Sequence, residues 1–520
     1  MLFFIGNFML SPSYLDSLPD SFVKLFQEVE EQILHDVARR IGKMDAVTPT
    51  ANWQLWRYQQ TEALRNDVVK LLAKYTGKSE STIRRLLLQA ATEAMEREDA
   101  IYYHYGKEPQ PFEESAALNN LLDAGARQTC GTWQNLTATT ANTVTGAFER
   151  TLDAAWLKVS TGAFDYKAAV KQAVDSLADE MPMVTYPSGH KDSIEVAARR
   201  AVLTGVNQTT GKLQVARMDE MGCEFVETTA HGGARPSHAE WQGRRFHRGG
   251  AVDYKGRHYP DFEAATGYGT GAGLCGWNCR HTFFAVFPEL GDPPQWTQEQ
   301  LRELNARNIE WNGKKYTAYE ISQMQRARER NVRRWKKRYL AEDAAGLDPT
   351  DSAVRLKAAR QSLKDFTQAT GGRVDSARVS VPKFGRSEAS RANWAAKGYE
   401  KQQKDAIIIE NLRTAAKLPK AAVIHLEPTK INVDALTFDD AHINAEREHR
   451  VSEEQAKQYI RNAKISVSVW NGQFERYYGT EGAAYVNTIK HEIRTTYSRA
   501  EFDENTTALI EEMKKNGILG

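Results

Sequence analysis

Five of the twelve histidines, His231, His238, His247, His258 and His281, fall within one glycine-rich stretch that also holds Cys275 and Cys279. Neutral imidazole and thiolate are the usual ligands of zinc, which makes Cys275, Cys279 and His281 an alternative metal set; their spacing matches no strong zinc pattern, and no metal is expected. The same stretch brings His231 and His238 near Glu240, groups suited to acid–base work. A second reading stands beside these: small glycines make tight loops, and His, Arg and Trp hydrogen-bond across them. Another concentration of chemistry lies further along. His442, Glu446 and His449 stand at i, i+4 and i+7, which puts all three on one face of a helix.

Between these two regions, residues 323–340 carry Arg326, Arg328, Arg330, Arg333, Arg334, Lys336, Lys337 and Arg338 around Trp335 and Tyr339. As a helix this is a positive stretch roughly 25 Å long. It is suited to neutralising phosphates with salt-sensitive, sequence-independent affinity. The alternative is a helix that packs through Met324, Val332, Trp335 and Tyr339 and pairs its arginines with acidic neighbours.

The elements that must position these groups follow from periodicity. Phe22, Phe26, Val29, Ile33 and Val37 recur at helical spacing, and residues 66–75 repeat the pattern. Residues 79–81 predict a cap before another helix over 82–95. The Ala- and Thr-rich stretch 119–158 suits close helix packing. From Cys223 to Pro288 the texture turns to Gly, His, Arg and aromatics, with a strand predicted within 223–229. Helices are expected again over 297–308 and 318–342, and residues 371–390 read as a linker. Beyond it come a helix (395–417), an apolar run (421–426) and a helix over 452–462 with Ser452 as its cap. Strand-like runs follow at 465–470, 473–478, 483–487 and 492–497, then a closing helix at 504–516. Asn471-Gly472 is a hairpin signal, and strand alternation sets Glu492, Arg494 and Thr496 against Ile493, Thr495 and Tyr497.

The chain is thus read as multidomain. It has a mainly α N-terminal region with a small α+β Gly/His-rich core, then a C-terminal α+β domain with an antiparallel sheet. The expected segments are 1–215 (helical), 216–300 (the Gly/His/Cys core), 301–370 (the basic helical part), 371–394 (a linker) and 395–520. A length of 520 residues calls for several cores. A net charge of +2 excludes a protein-wide grip on nucleic acid and restricts any such surface to a patch. Four cysteines are too few for a disulfide scaffold of this size and point to a reducing compartment. The apolar start, residues 1–10, lacks a basic region and a cleavage site and is too short to span a bilayer; Met9 offers an alternative start. No later run has the length of a membrane span, so a soluble protein without membrane contact is expected.

Four ordered strings, HGGARPSHAEWQG (231–243), YPDF (259–262), TGYGTG (266–271) and GWNCRH (276–281), resemble the signature of the phage minor capsid protein 2 family. The resemblance covers roughly residues 11–380. It implies a structural protein of the phage head, near the portal, in contact with portal and major capsid proteins and with packaged DNA. Localisation would be the virion, and the host cytoplasm during assembly or after delivery. It implies no catalytic residue and no cofactor.

The order of elements after residue 420 resembles the nuclease fold shared by barnase, EndoU, the tRNA-cleaving colicins and RelE, which phage head proteins carry as C-terminal toxin modules. That resemblance implies metal-independent cleavage of host RNA. His442 and His449 would divide the acid and base roles. Arg447, Arg476 or Arg494 would supply positive charge, and Thr496 or Thr495 would hold a phosphate oxygen. Tyr478, Tyr485 or Tyr497 would stack on a base. The alternative is an inactive decoration or host-binding module.

Overall fold

The computed structural model describes residues 10–43, 50–161, 165–180, 183–186 and 190–519. The apolar start, apart from Leu10, lies outside them. The chain divides into two compact units, Met1–Ala395 and Ala396–Gly520, and the division falls inside the helix Arg386–Ala415.

The first unit is built on long helices: α1 (Asp20–Gly42), α2 (Thr50–His104), α3 (Ala116–Ser160), α4 (Tyr166–Glu180) and α5 (Ile194–Glu220). The apolar stripe predicted on α1 is buried, and Phe22 and Phe26 pack on Trp133 of α3 with ring centroids 5.1 and 4.0 Å apart. Ser115 and Ser193 cap α3 and α5 by accepting backbone N–H bonds. Residues 79–81 do not start a new helix. They lie within α2, where the Ser79 and Thr82 hydroxyls donate back to the carbonyls of Tyr75 and Lys78. Such bonding satisfies the side chain without ending the helix.

A small antiparallel sheet follows, with β1 (Phe225–Thr228) between β2 (Arg245–His247) and β3 (Phe283–Ala285). All of β1 and β3 is buried. The sheet is fixed to the helices by Glu98 of α2, which accepts from the Ala285 N–H of β3 and from Gln214 of α5. Then come α6 (Ala318–Ala344), opened by a Thr317/Glu320 capping box, and α7 (Thr350–Ala369). Helix α6 packs on α1, α4 and α7. Residues 371–390, expected as a linker, are packed instead: a short helix spans Ser376–Val379, Val381 and Phe384 are buried, and Lys336 of α6 donates to the Val379 carbonyl. The next helix, α8 (Arg386–Ala415), begins before the position that its sequence pattern marks.

The second unit holds a six-stranded sheet. Its strands are β4 (Val423–His425), β5 (Thr437–Phe438), β6 (Ile465–Val469), β7 (Phe474–Tyr478), β8 (Gly482–Asn487) and β9 (Glu492–Ser498), in the order β4-β6-β7-β8-β9-β5. Every pairing is antiparallel except β5 with β9. One face is covered by Leu412 and by Leu509 and Met513 of α10 (Glu504–Lys515); the other is covered by Ala456 and Ile460 of α9 (Glu453–Arg461). Ser452 caps α9 in a full box with Gln455, as its position predicts. Among the described residues no helix is long and apolar enough to cross a membrane, and all four cysteines are free and buried.

Candidate functional site

The sequence strings rich in His, Gly and Cys converge on one buried point. His238 comes from the short helix Pro236–Ala239, while Cys279 and His281 come from the loop leading into β3. Two features make that loop tight. A Cβ on Gly273 or Gly276 would lie 2.0 or 2.4 Å from the carbonyl oxygen of Gly267 or Gly271, so only glycine fits. Three tethers hold it: Asn207 of α5 donates to the Cys279 carbonyl (2.5 Å), Arg235 to the Trp277 carbonyl (2.5 Å), and Arg280 to Asp16 (2.9 Å). His238 Nδ1 and His281 Nδ1 are then 3.4 Å apart, and Cys279 Sγ is 3.7 Å from each.

The outer nitrogens of these rings are engaged. His238 Nε2 meets the Ala272 carbonyl at 3.0 Å and His281 Nε2 meets Gln242 Oε1 at 3.0 Å. Burial lowers the His238 pKa to about 4, and burial with the neighbouring His231 and His238 holds His281 well below the usual imidazole range. Burial raises the Cys279 thiol. Of the alternative set Cys275, Cys279 and His281, two members lie in this cluster. Cys275 lies outside the cluster, with its sulfur against Gly211 of α5, and His238 stands with Cys279 and His281 instead. Glu240 is exposed and makes no described contact with His231 or His238, so the expected acid–base set does not assemble.

The basic helix is α6, and four of its basic residues are held in ion pairs to other helices. Arg333 pairs with Glu195, Lys337 with Glu30, Arg334 with Asp179 (2.5 Å) and Arg338 with Asp175 (2.5 Å). Arg328 lies 4.1 Å over the Phe366 ring. Burial, then the neighbouring Arg280 and Arg378, lowers Arg326 to about 10. Of the expected phosphate-binding residues on α6, Arg330 is exposed together with the ion-paired Arg334. The pairs join α6 to acidic residues of α1, α4 and α5, the arrangement that the second reading of this helix expects.

In the second unit the predicted face His442–Glu446–His449 is broken. A π-helical turn spans Ala441–Glu446, and positive φ at Glu448 (60°) and Arg450 (50°) ends it before His449. His442 Nδ1 binds Glu446 at 2.7 Å. His449 turns instead to the sheet, with Nδ1 3.2 Å from Glu501 and Nε2 3.2 Å from the Thr495 hydroxyl, beside the Tyr497 ring. A bulge leaves Arg494 unpaired, since Tyr485 pairs with Thr495 and Val486 with Ile493. It reverses the alternation: Thr496 shares a face with Ile493, is fully buried and donates to the Ala483 carbonyl (2.9 Å), while Thr495 and Tyr497 occupy the opposite face. Arg494 and Arg447 are exposed, and Arg476 lies 4.9 Å over the Tyr485 ring. The expected catalytic set is thus divided between two faces.

Two arrangements in this unit escape a reading of the sequence. The hydroxyls of Tyr478, Tyr485 and Tyr497 form a chain with links of 3.1 and 2.7 Å. On the other face, His425 binds the Ser468 hydroxyl (3.0 Å), which donates to the buried Glu475. The polar Ser466 and Ser468 in an otherwise apolar strand are the signal that could have found the second.

The first unit is thus a framework of long helices around a small buried sheet, and the second is an α+β domain. A family model described as phage minor capsid protein 2 matches residues 10–368, and the chain belongs to that family. It is 27% identical over 250 residues to a protein of Lactococcus phage LL-H named simply "Structural protein". That alignment takes in 46% of this chain and 63% of the relative, so the chain spans less than two thirds of it. No solved structure matches.

Proposed function

We propose that this chain is a non-enzymatic building component of the phage virion, placed in the head near the portal and held there by contacts with other head proteins. The observation that carries this reading is the fate of the α6 charges. A helix with eight basic residues uses Arg333, Arg334, Lys337 and Arg338 to tie three other helices together, as a scaffold does. Mass spectrometry and cross-linking of purified virions test it. Peptides of this chain cross-linked to portal or major capsid protein are expected; virions free of the chain would overturn the assignment.

A second reading concerns residues 396–520 as a ribonuclease delivered to a host. It is supported by His449, an imidazole held between Glu501 and Thr495 at the edge of a tyrosine-lined face. Against it stands the separation of Thr496 from that face. The full-length protein, incubated with RNA in EDTA, decides between them. The structural reading expects no cleavage. Cleavage lost in His449→Ala and kept in His442→Ala would establish the nuclease and name its acid–base group.

A further inference from the structure

We propose that His238, His281 and Cys279 bind a zinc ion that locks the loop carrying Cys279 and His281 onto the helix Pro236–Ala239. The argument begins with protons. The Ala272 carbonyl only accepts, so His238 carries its proton on Nε2. Gln242 Oε1 already accepts from the His231 backbone N–H (3.1 Å), and Gln242 Nε2 is turned to Asn305 Oδ1 (3.2 Å). The amide orientation is therefore fixed, and His281 must donate from Nε2. Both Nδ1 atoms are consequently bare lone pairs, and they face one another at 3.4 Å. The single Cys279 thiol proton can serve one of them at a time, from 3.7 Å.

A divalent cation resolves the arrangement. Zinc bonds of ~2.05 Å to nitrogen and ~2.3 Å to sulfur, meeting at the tetrahedral angle, separate two nitrogens by about 3.4 Å and a nitrogen from a sulfur by about 3.6 Å. The observed edges are 3.4, 3.7 and 3.7 Å. Binding converts the Cys279 thiol to a thiolate and releases its proton to solvent. The thiolate is also placed to accept the His281 backbone N–H at 3.4 Å. Each ring nitrogen opposite the metal is hydrogen-bonded, the outer support that metal-binding histidines usually have. The fourth corner falls to a solvent oxygen or to His231. The Nδ1 of His231 is taken by the Gly232 carbonyl, its Nε2 is buried without a hydrogen-bond partner among the described residues, and its ring centroid lies 4.3 Å from that of His281.

The test uses the full chain, produced in zinc-supplemented medium and dialysed. Elemental analysis should give close to one equivalent of zinc, falling to background in Cys279→Ser and His281→Ala and retained in Cys223→Ser, which removes a buried sulfur elsewhere. Circular dichroism identifies a variant that has not folded. For that case the wild-type protein carries its own readout: after exchange for cobalt(II), it should show thiolate-to-cobalt charge transfer and the intense visible bands of a tetrahedral ion. Wild-type protein without zinc and without a thiolate band on cobalt titration would overturn the proposal. So would variants that keep the full metal content.

Discussion

Gln242 illustrates how one amide sets the chemistry of its neighbours. Its oxygen accepts from both His231 and His281, so Gln242→Leu frees the His281 ring and should weaken zinc binding about 10- to 100-fold. Competition with a chromogenic chelator measures this, and unchanged affinity would show that the amide does not orient the ring. Glu98 gives a second prediction at this scale. Burial raises its carboxyl to about 8, against hydrogen bonds from Ala285 and Gln214 that lower it. The folded pKa lies above the free value of 4.5, so the folded state retains this proton. Its contribution to stability is therefore full below the free value and declines as pH rises through the folded value. Glu98→Gln should flatten that decline, read as a smaller drop in urea midpoint between about pH 5 and about pH 8. Residue type drew Cys279 and His281, which lie two residues apart, into the alternative metal set of the sequence. It missed His238, which reaches them only because the glycine loop folds back across a separation of 41 residues in sequence. Cys275, with φ of 59°, sends its sulfur elsewhere, and no spacing rule reveals a left-handed residue.

At the scale of elements, helical periodicity was legible over most of the first unit, while interruptions of the pattern were not. Residues 79–81 carry the composition of a cap, yet packing of Tyr75, Ile83 and Leu86 on the core holds α2 continuous through them. Conversely, 441–449 has helical spacing but ends early, and one unpaired Arg494 reverses the faces of β9. A bulge adds one residue to one strand, and alternation alone does not mark where that happens. The crossing of α3 and α5 shows what the Ala- and Thr-rich composition is for. A Cβ on Gly125 would lie 2.2 Å from the Thr209 hydroxyl, and one on Gly205 would lie 2.3 Å from that of Thr129, so the two helices interlock reciprocally. Gly205→Ala should cost about 1–3 kcal/mol through overpacking. Gly77 of α2 faces open space, and Gly77→Ala should stabilise by about 0.5–1 kcal/mol. Urea unfolding of the two variants should therefore move in opposite directions; a shared direction would remove close helix approach as the cause.

At the scale of the whole molecule, the two units carry separate cores. The helical and Gly/His cores draw on residues before 395, and the two faces of the large sheet draw on residues after it. Separate cores without shared apolar residues should unfold as separate transitions. The chain supplies a way to follow them, because Trp470 is the one tryptophan after residue 395 and is exposed, whereas Trp133, Trp241 and Trp335 are buried in the first unit. Tryptophan fluorescence thus reports the first unit, and hydrogen exchange of the paired amides of β6 to β9, followed by mass spectrometry, reports the second. A ligand bound only by the folded first unit stabilises that unit alone, by about 2.7 kcal/mol when its free concentration is about a hundred times Kd. Removing zinc from the full chain with a chelator should therefore lower the tryptophan-detected melting temperature and leave the exchange-detected transition of the second unit in place. A chelator effect on both transitions would mean that the units unfold together. An effect on neither would mean that the histidine–cysteine cluster holds its loop without a metal.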